Sequence, residues 1–346
     1  MQNPGNVQAM QEVCTVPYSL EPQVFAGSSS REFAERVCSY LGATLGDTTI
    51  IRFEEGNTFV KFGQSVRDKE VFIIQTVGVS PNDDFMEVLF WVDAMKRASA
   101  SSVTVVMPHF SYSKADKKDE PHVSIRARVC ADCLEVVNAD RVITMDLHSP
   151  QVQGFFRIPA DNLHALPVLC ACVKKIGVTD LVVVAPDAGF AKMARKFATH
   201  LGASVAFGDK TRNDHTEKAH VLEIVGDVSG KNVLIVDDFT LTCGTLADTA
   251  KAVKARGARR VLAAVSHALL RAKGLRVLSE SPIERLIVTD TLDNAGASAH
   301  PKISVVSVAP LFAEAIMRIH NRQGLSELFE DAPESVVTEC LRGCKP

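Results

Sequence analysis

Val233–Thr245 reads VLIVDDFTLTCGT, and it constrains the fold of this chain more than any other stretch. Four branched apolar residues, Val233–Val236, run without polar alternation, as in a strand buried on both faces of a parallel sheet. Two acids, Asp237 and Asp238, follow at once. A short turn rich in hydroxyls and glycine comes next: Thr240, Thr242, Cys243, Gly244 and Thr245. An amphipathic pattern then begins near Leu246 and runs to about Arg256, which predicts a helix. Strand, acids, small-residue turn and helix together specify an open α/β sheet. In such sheets ligands lie outside the carboxyl ends of the strands. There the unpaired amides and dipole of the helix attract phosphate, and a turn of small residues lets the backbone close around it. Two carboxylates beside that cradle suit ribose hydroxyls or a Mg2+ ion. A pair of acids that merely caps the helix is the plainer reading; the acids and TCGT turn together favour a site.

The rest of the chain repeats this grammar. Gln23–Ala26 leads through Gly27 and three serines into a helix over Arg31–Leu41, with Ser30 expected as its N-cap. Thr48–Phe53 and a second strand ending at Phe62 flank the turn Glu54-Glu55-Gly56-Asn57, predicting a projecting hairpin. Glu70–Gln75 and Val103–Met107 read as buried strands, with a helix over Asn82–Ala98 between them. Leu181–Ala185, Val233–Val236, Val261–Ser266 and Leu286–Thr289 continue the series in the second half. Alternating strands and helices indicate parallel sheets. At 346 residues with 46% apolar content, the chain is long enough for two cores. Short echoes suggest a duplication: Val103–Pro108 parallels Leu181–Pro186, and Ile143–His148 parallels Leu234–Phe239. The cleft between the copies is then the expected site.

Other features exclude function classes. A net charge of −3 gives no nucleic-acid-binding surface, and no apolar run reaches membrane-spanning length. Met1–Pro22 is polar, unlike a signal peptide, and has no arginine, unlike a mitochondrial presequence; the last residues are not the peroxisomal tripeptide. A cytoplasmic protein is expected. The nine cysteines are scattered. Cys130 and Cys133 form a CxxC, but inside the helical pattern Ser124–Val137, so buried thiols are expected there, not zinc ligands. Gly226–Asn232 lacks the spacing and hydroxyl of a Walker A motif. Asp209–Lys218 is highly polar and aperiodic, as in a surface loop or a mobile lid over phosphates.

Several of these motifs coincide. VLIVDDFTLTCGT resembles the phosphoribosyl-diphosphate loop of phosphoribosyltransferases. With Thr144-Met-Asp146-Leu-His148, Gln151–Phe156, Phe110–Asp119, Pro186–Gly189 and Val305–Asn321, the resemblance narrows to the ribose-phosphate diphosphokinases, from about Val24 to Phe329. It implies an α/β chain of two duplicated phosphoribosyltransferase-like domains, each a largely parallel sheet flanked by helices. The expected organisation is a tail at 1–22, an ATP-side domain at 23–165, a ribose 5-phosphate-side domain at 166–310, a helix at 311–329 and a tail at 330–346.

The implied activity is transfer of the diphosphoryl group of ATP to the 1-hydroxyl of ribose 5-phosphate. By the resemblance, Lys210 and Arg212 are the catalytic cations. Phe53, Glu55, Asn57, Lys114, Asp116 and His148 take the nucleotide. Asp187, Ala188, Gly189, Asp237, Asp238, Thr240, Thr242, Cys243, Gly244 and Thr245 hold the ribose 5-phosphate and diphosphate. Asp146, His148, Asp161 and Asp187 serve Mg2+. The chain departs from the family pattern at Glu55, Asn57, Lys114, Ala115, Arg157, Phe190 and Leu241. These departures keep open a second reading, a catalytically weak or inactive synthetase-associated subunit. A simple phosphoribosyltransferase is disfavoured by the ATP-like first half. The family also implies a homo-oligomer, a dimer assembling to a hexamer, or a hetero-oligomer with homologous subunits.

Overall fold

The computed structural model describes residues 21–211, 221–293 and 299–343. The first unit runs β1 (Gln23–Ala26), α1 (Arg31–Leu41), β2 (Thr48–Arg52), β3 (Thr58–Phe62), β4 (Glu70–Ile74), α2 (Pro81–Arg97), β5 (Ser102–Met107), α3 (Arg126–Val136), β6 (Arg141–Met145) and β7 (Ala160–Leu163). Its sheet has the order β1-β4-β5-β6-β7, all parallel. After α4 (Leu166–Ile176), the second unit follows: β8 (Leu181–Ala185), α5 (Ala191–Leu201), β9 (Ser204–Thr211), β10 (Val221–Val225), β11 (Asn232–Thr240), α6 (Gly244–Ala255), β12 (Arg260–Ala268), α7 (Ala272–Glu280), β13 (Arg285–Thr289) and β14 (Ile303–Val306). Its order is β10-β9-β8-β11-β12-β13-β14. The run β8-β11-β12-β13-β14 retraces β1-β4-β5-β6-β7 strand for strand, so the duplication holds.

The echoes that suggested it were out of register. They paired β5 with β8 and β6 with β11, whereas the topology makes β12 the counterpart of β5 and β13 that of β6. Every central strand here is a short branched apolar run, so similarity between two of them carries no register. The hairpins differ between copies. β2 and β3 form a separate two-stranded sheet, while β9 joins the main sheet beside β8 and pairs antiparallel with β10. The segment expected as a loop from Asp209 therefore starts as strand, with Asp209 opposite Glu223 and Thr211 opposite Val221.

Three apolar layers hold the units. Helices α2 and α3 cover the outer face of the first sheet around Trp91, and α6 and α7 cover that of the second. The inner faces share one core with α1, α4, α5 and α8 (Ala309–His320). The covering helices are exchanged: α4 leaves the first unit yet packs on α5 and β12–β14, and α8 leaves the second yet packs on α1. Phe33 and Phe312 meet edge to face at 5.5 Å in that exchange. Neither unit can then close its inner face alone.

The residues from 330 are not simply a tail. Beyond α9 (Ser326–Glu330), α10 (Glu334–Cys340) buries Val336 and Cys340 against the shared core. Ser30 precedes α1 but does not cap it; its hydroxyl accepts the Thr76 amide at 2.7 Å, tying the β1–α1 turn to the end of β4. Cys130 is buried and Cys133 partly buried, both free thiols.

Candidate active site

The carboxyl ends of the two sheets face each other, and the turn after β11 lies in the cleft between them. Cys243 adopts φ 55°, a left-handed step that turns the chain into α6 at Gly244. The Cys243 amide donates to Thr240 Oγ1 at 3.2 Å and the Gly244 amide to Thr242 Oγ1 at 3.4 Å. Ala247 makes the first helical bond, to the Cys243 carbonyl. The Thr245 and Leu246 amides before it form the open N-terminus of a helix, flanked by the exposed Thr242 and Thr245. A Cβ on Gly244 would meet only Thr242 Oγ1, at 3.4 Å, so a side chain there would point into the cradle without breaking the fold. Gly274 of α7 backs this turn: a Cβ there would stand 2.9 Å from the Leu241 carbonyl oxygen. The sequence reading missed Gly274, because it lies thirty residues on and has no motif around it. Leu241 itself is 45% exposed beside the cradle.

Across the cleft, His148 Nδ1 is hydrogen-bonded to Asp238 Oδ2, joining the turn after β6 to the acids after β11. The Asp238 bond raises the His148 pKa against the opposing effect of burial. Burial would raise Asp238, yet the His148 bond, with the charges of His148, Lys114 and His267, brings it below the usual carboxylate range. Asp237 is shifted up, first by burial and then by the Asp238 charge, with Asp187 adding to it. Asp187 follows β8 and accepts the Phe190 amide at 3.2 Å, which orders the Ala188–Phe190 turn. The structure thus gathers Lys114, His148, Asp187, Asp237, Asp238 and the Thr240–Thr245 turn around one cleft.

Two expected metal ligands are otherwise engaged. Asp146, at φ 39°, accepts from His164 Nδ1 at 2.7 Å, from the Ala165 amide at 3.0 Å and from Ser266 Oγ. Burial would raise its pKa, but the His164 and Ser266 contacts lower it. Its Oδ2 ties the two units through Ser266, so a metal held by Asp146 would share these oxygens with the bonds that join the units. Its counterpart after β13, Asp290, is also a joint, with Ser307, the Val308 amide and Arg36. Asp161 sits opposite Ile143 in the amino-terminal half of β7, paired with Arg141 at the start of β6, away from the cleft. Arg157, where the family pattern has an acid, pairs with Glu135 on the surface.

The hairpin residues are not brought to this cleft. Phe53, 44% exposed, closes the hairpin through its bonds with Asn57 and Gly56, and Glu55 and Asn57 lie exposed at the tip. The hairpin packs by the β1 edge through Phe25 and Phe62, three strands from β6. Asp116 follows Lys114 on the cleft side of the first unit, while Ala115 is buried. Lys210 lies in β9 opposite Leu222; Arg212 falls outside the described residues. The cleft also contains residues the sequence reading passed over. His267 bonds Thr291 Oγ1 at 2.8 Å and the Met145 carbonyl at 3.0 Å, and burial lowers its pKa. His109 stacks on Phe239 at 5.3 Å. Each lies at the carboxyl end of a strand, the one signal that could have found them.

Among the described residues, no three His, Cys, Asp or Glu side chains form a ready metal cage. Burial, and after it the crowding of Asp187 and Asp238, shifts the Asp237 pKa up, and such a cluster of acids fits a hard divalent ion shared with phosphate oxygens. Mg2+ is commonly held by one or two carboxylates with substrate phosphates and water.

Comparison with known proteins agrees with this arrangement. Residues 22–137 match the family model described as the N-terminal domain of ribose phosphate pyrophosphokinase, and 212–330 match the phosphoribosyl synthetase-associated domain. The chain is 42% identical over 312 residues to a ribose-phosphate pyrophosphokinase of Chlorobaculum tepidum, covering 89% of this chain and 95% of that protein. It is 41% identical over 311 residues to that of Thermosipho africanus, with 89% and 98% covered. The crystal structure of phosphoribosylpyrophosphate synthetase from Mycobacterium smegmatis superimposes with a TM-score of 0.82 at 34% identity, over 87% of this chain and 99% of that one. Two duplicated units meeting at an acid pair and a phosphate-type turn, with this similarity along almost their whole length, show that the chain belongs to the ribose-phosphate pyrophosphokinase family.

Proposed function

We propose that this cleft moves the diphosphoryl group of ATP to the 1-hydroxyl of ribose 5-phosphate, giving PRPP and AMP. The observation that carries the reading is the His148–Asp238 bond. It places a polar turn of the first unit against the acid pair and phosphate cradle of the second, so two substrates can meet. The open amide of Thr245 and the hydroxyls of Thr242 and Thr245 take the 5-phosphate. Asp237 and Asp238 take the ribose hydroxyls. Lys114, with Asp116 beside it, faces the polyphosphate, and Asp187 with the Ala188–Gly189 turn holds the diphosphate side.

The 1-hydroxyl oxygen attacks the β-phosphorus in line and gives up its proton to solvent, the bond to the α–β bridging oxygen breaks, and AMP leaves with that oxygen. No covalent enzyme intermediate is required; the protein positions and stabilises charge. Asp187, at the edge of the acid cluster, and His148, which bonds Asp238, would hold Mg2+, and the ion would neutralise charge on the phosphoryl oxygens. Lys210 and Arg212 supply further positive charge to the transferring group.

The hairpin face bearing Ile51, Phe53 and Phe59 is apolar and exposed, which supports a homo-oligomer in which a second copy covers it. No helix among the described residues is long and apolar enough to cross a membrane, and a cytoplasmic enzyme of nucleotide biosynthesis is the matching setting. The test is AMP formation from ATP by the purified chain, with and without ribose 5-phosphate and Mg2+. Strict dependence on both is expected. A well-folded chain that forms no AMP, but alters the rate of an active homologue, would replace this reading with the associated subunit that Phe190 and Leu241 keep open.

A further inference from the structure

Lysine at position 114 raises a physical problem. An arginine presents a rigid planar fork, whereas a lysine carries a point charge on a flexible four-carbon stem. Something must hold that charge if it is to face a ligand. Lys114 Nζ stands 3.8 Å from the centroid of the Phe239 ring. That ring lies parallel to the His109 imidazole, 5.3 Å away with an interplanar angle of 9°. His109 is buried and lies 4.6 Å from His267, which Thr291 and the Met145 carbonyl hold in place. The ring is therefore seated on a stack that cannot easily shift.

The contact also crosses the cleft. Lys114 ends the short helical turn Ser111–Lys114 of the first unit, and Phe239 follows Asp238 on β11 of the second. Burial lowers the Lys114 pKa, and the negative charge of Asp238 beside it opposes that shift. We propose that Phe239 is a positioning residue whose ring holds the Lys114 ammonium across the cleft, beside the acid pair and facing the polyphosphate. This deepens, and rests on, the reading of Lys114 as a polyphosphate contact.

The test is ATP affinity by calorimetry for wild type, Phe239→Leu, Phe239→Tyr, Lys114→Met and the Phe239→Leu/Lys114→Met double variant. Phe239→Leu is expected to weaken ATP about fivefold, within the range of a cation–π contact. Phe239→Tyr, which keeps the ring face, is expected within twofold of wild type, and ribose 5-phosphate affinity is expected to stay within twofold throughout. The double variant is expected to bind ATP no more weakly than Lys114→Met alone, because the ring acts only through the lysine. A packing role alone would make the two losses multiply and would lower affinity for both substrates. Multiplying losses, or wild-type ATP affinity in Phe239→Leu, overturns the inference while leaving Lys114 in the site. Unchanged ATP affinity in Lys114→Met overturns the reading of Lys114 and the inference with it. Should Phe239→Leu fail to fold, Phe239→Met carries the same cycle, since methionine fills irregular space without a ring.

Discussion

Gly274→Ala tests whether the turn after β11 is the phosphate cradle, and its effect can be worked from the packing. The new methyl carbon would stand 2.9 Å from the Leu241 carbonyl oxygen, 3.2 Å from Leu270 Cδ2 and 3.5 Å from Thr242 Cα. The leucine methyl can rotate away, but the carbonyl is backbone and must move by some tenths of an ångström. Thr242 and its neighbours move with it. Inside α7 the same change removes a helical glycine, worth about 1 kcal/mol in favour of alanine, so the global fold is expected to keep its stability. The amides before Ala247, however, lose alignment with a bound phosphate. A charged hydrogen bond is worth roughly 1.5–3 kcal/mol; weakening one by about half raises KM for ribose 5-phosphate about five-fold. Steady-state kinetics with each substrate varied, beside thermal unfolding, is the assay. A raised KM for ribose 5-phosphate with unchanged Tm and unchanged KM for ATP is expected. An unchanged KM for ribose 5-phosphate would refute the placement of the cradle; loss of Tm with both KM values raised would show the glycine to be structural only.

Gly244→Val is expected to raise KM for ribose 5-phosphate with the fold intact, because its Cβ meets only Thr242 Oγ1 at 3.4 Å; an unchanged KM removes the turn from the site. Lys210→Ala and Arg212→Ala are each expected to lower kcat about 100- to 1,000-fold with little change in ATP affinity, read by single-turnover rates and calorimetry. Phe312→Ala, which empties the exchange contact with Phe33, is expected to destabilise the chain by about 3–5 kcal/mol in urea unfolding. Both units should melt together, and separate transitions would contradict the shared core.

The local grammar of the fold was legible and its long-range joints were not. β11 and α6 could be read because strand, acids, turn and helix are contiguous and periodic. The duplication was correctly inferred from echoes in the wrong register, since buried strands look alike; the informative pair is Arg141–Asp146 against Arg285–Asp290, each closing on a joint acid. The joint at Asp146 was hidden because its partners are remote: His164 is 18 residues away and Ser266 is 120. Nothing near Asp146 announces either. Phe239 lies inside the Val233–Thr245 stretch and His109 just before Phe110–Asp119, but the pair gains meaning only when the ends of β5 and β11 meet. The stretch after Glu330 read as a tail because α10 is a single short amphipathic segment, and it is packing on α8 and α4, not propensity, that holds it.

The central claim is that the 1-hydroxyl of ribose 5-phosphate attacks the β-phosphorus of ATP in this cleft. Ribose 5-phosphate carrying a heavy oxygen isotope at the 1-hydroxyl, incubated with ATP, Mg2+ and the purified chain, tests it most directly by mass spectrometry of the products. The account predicts label in the oxygen bridging ribose and diphosphate of PRPP, with unlabelled AMP formed in equal amount. AMP formed without PRPP, or label attached to the α-phosphorus, would contradict it.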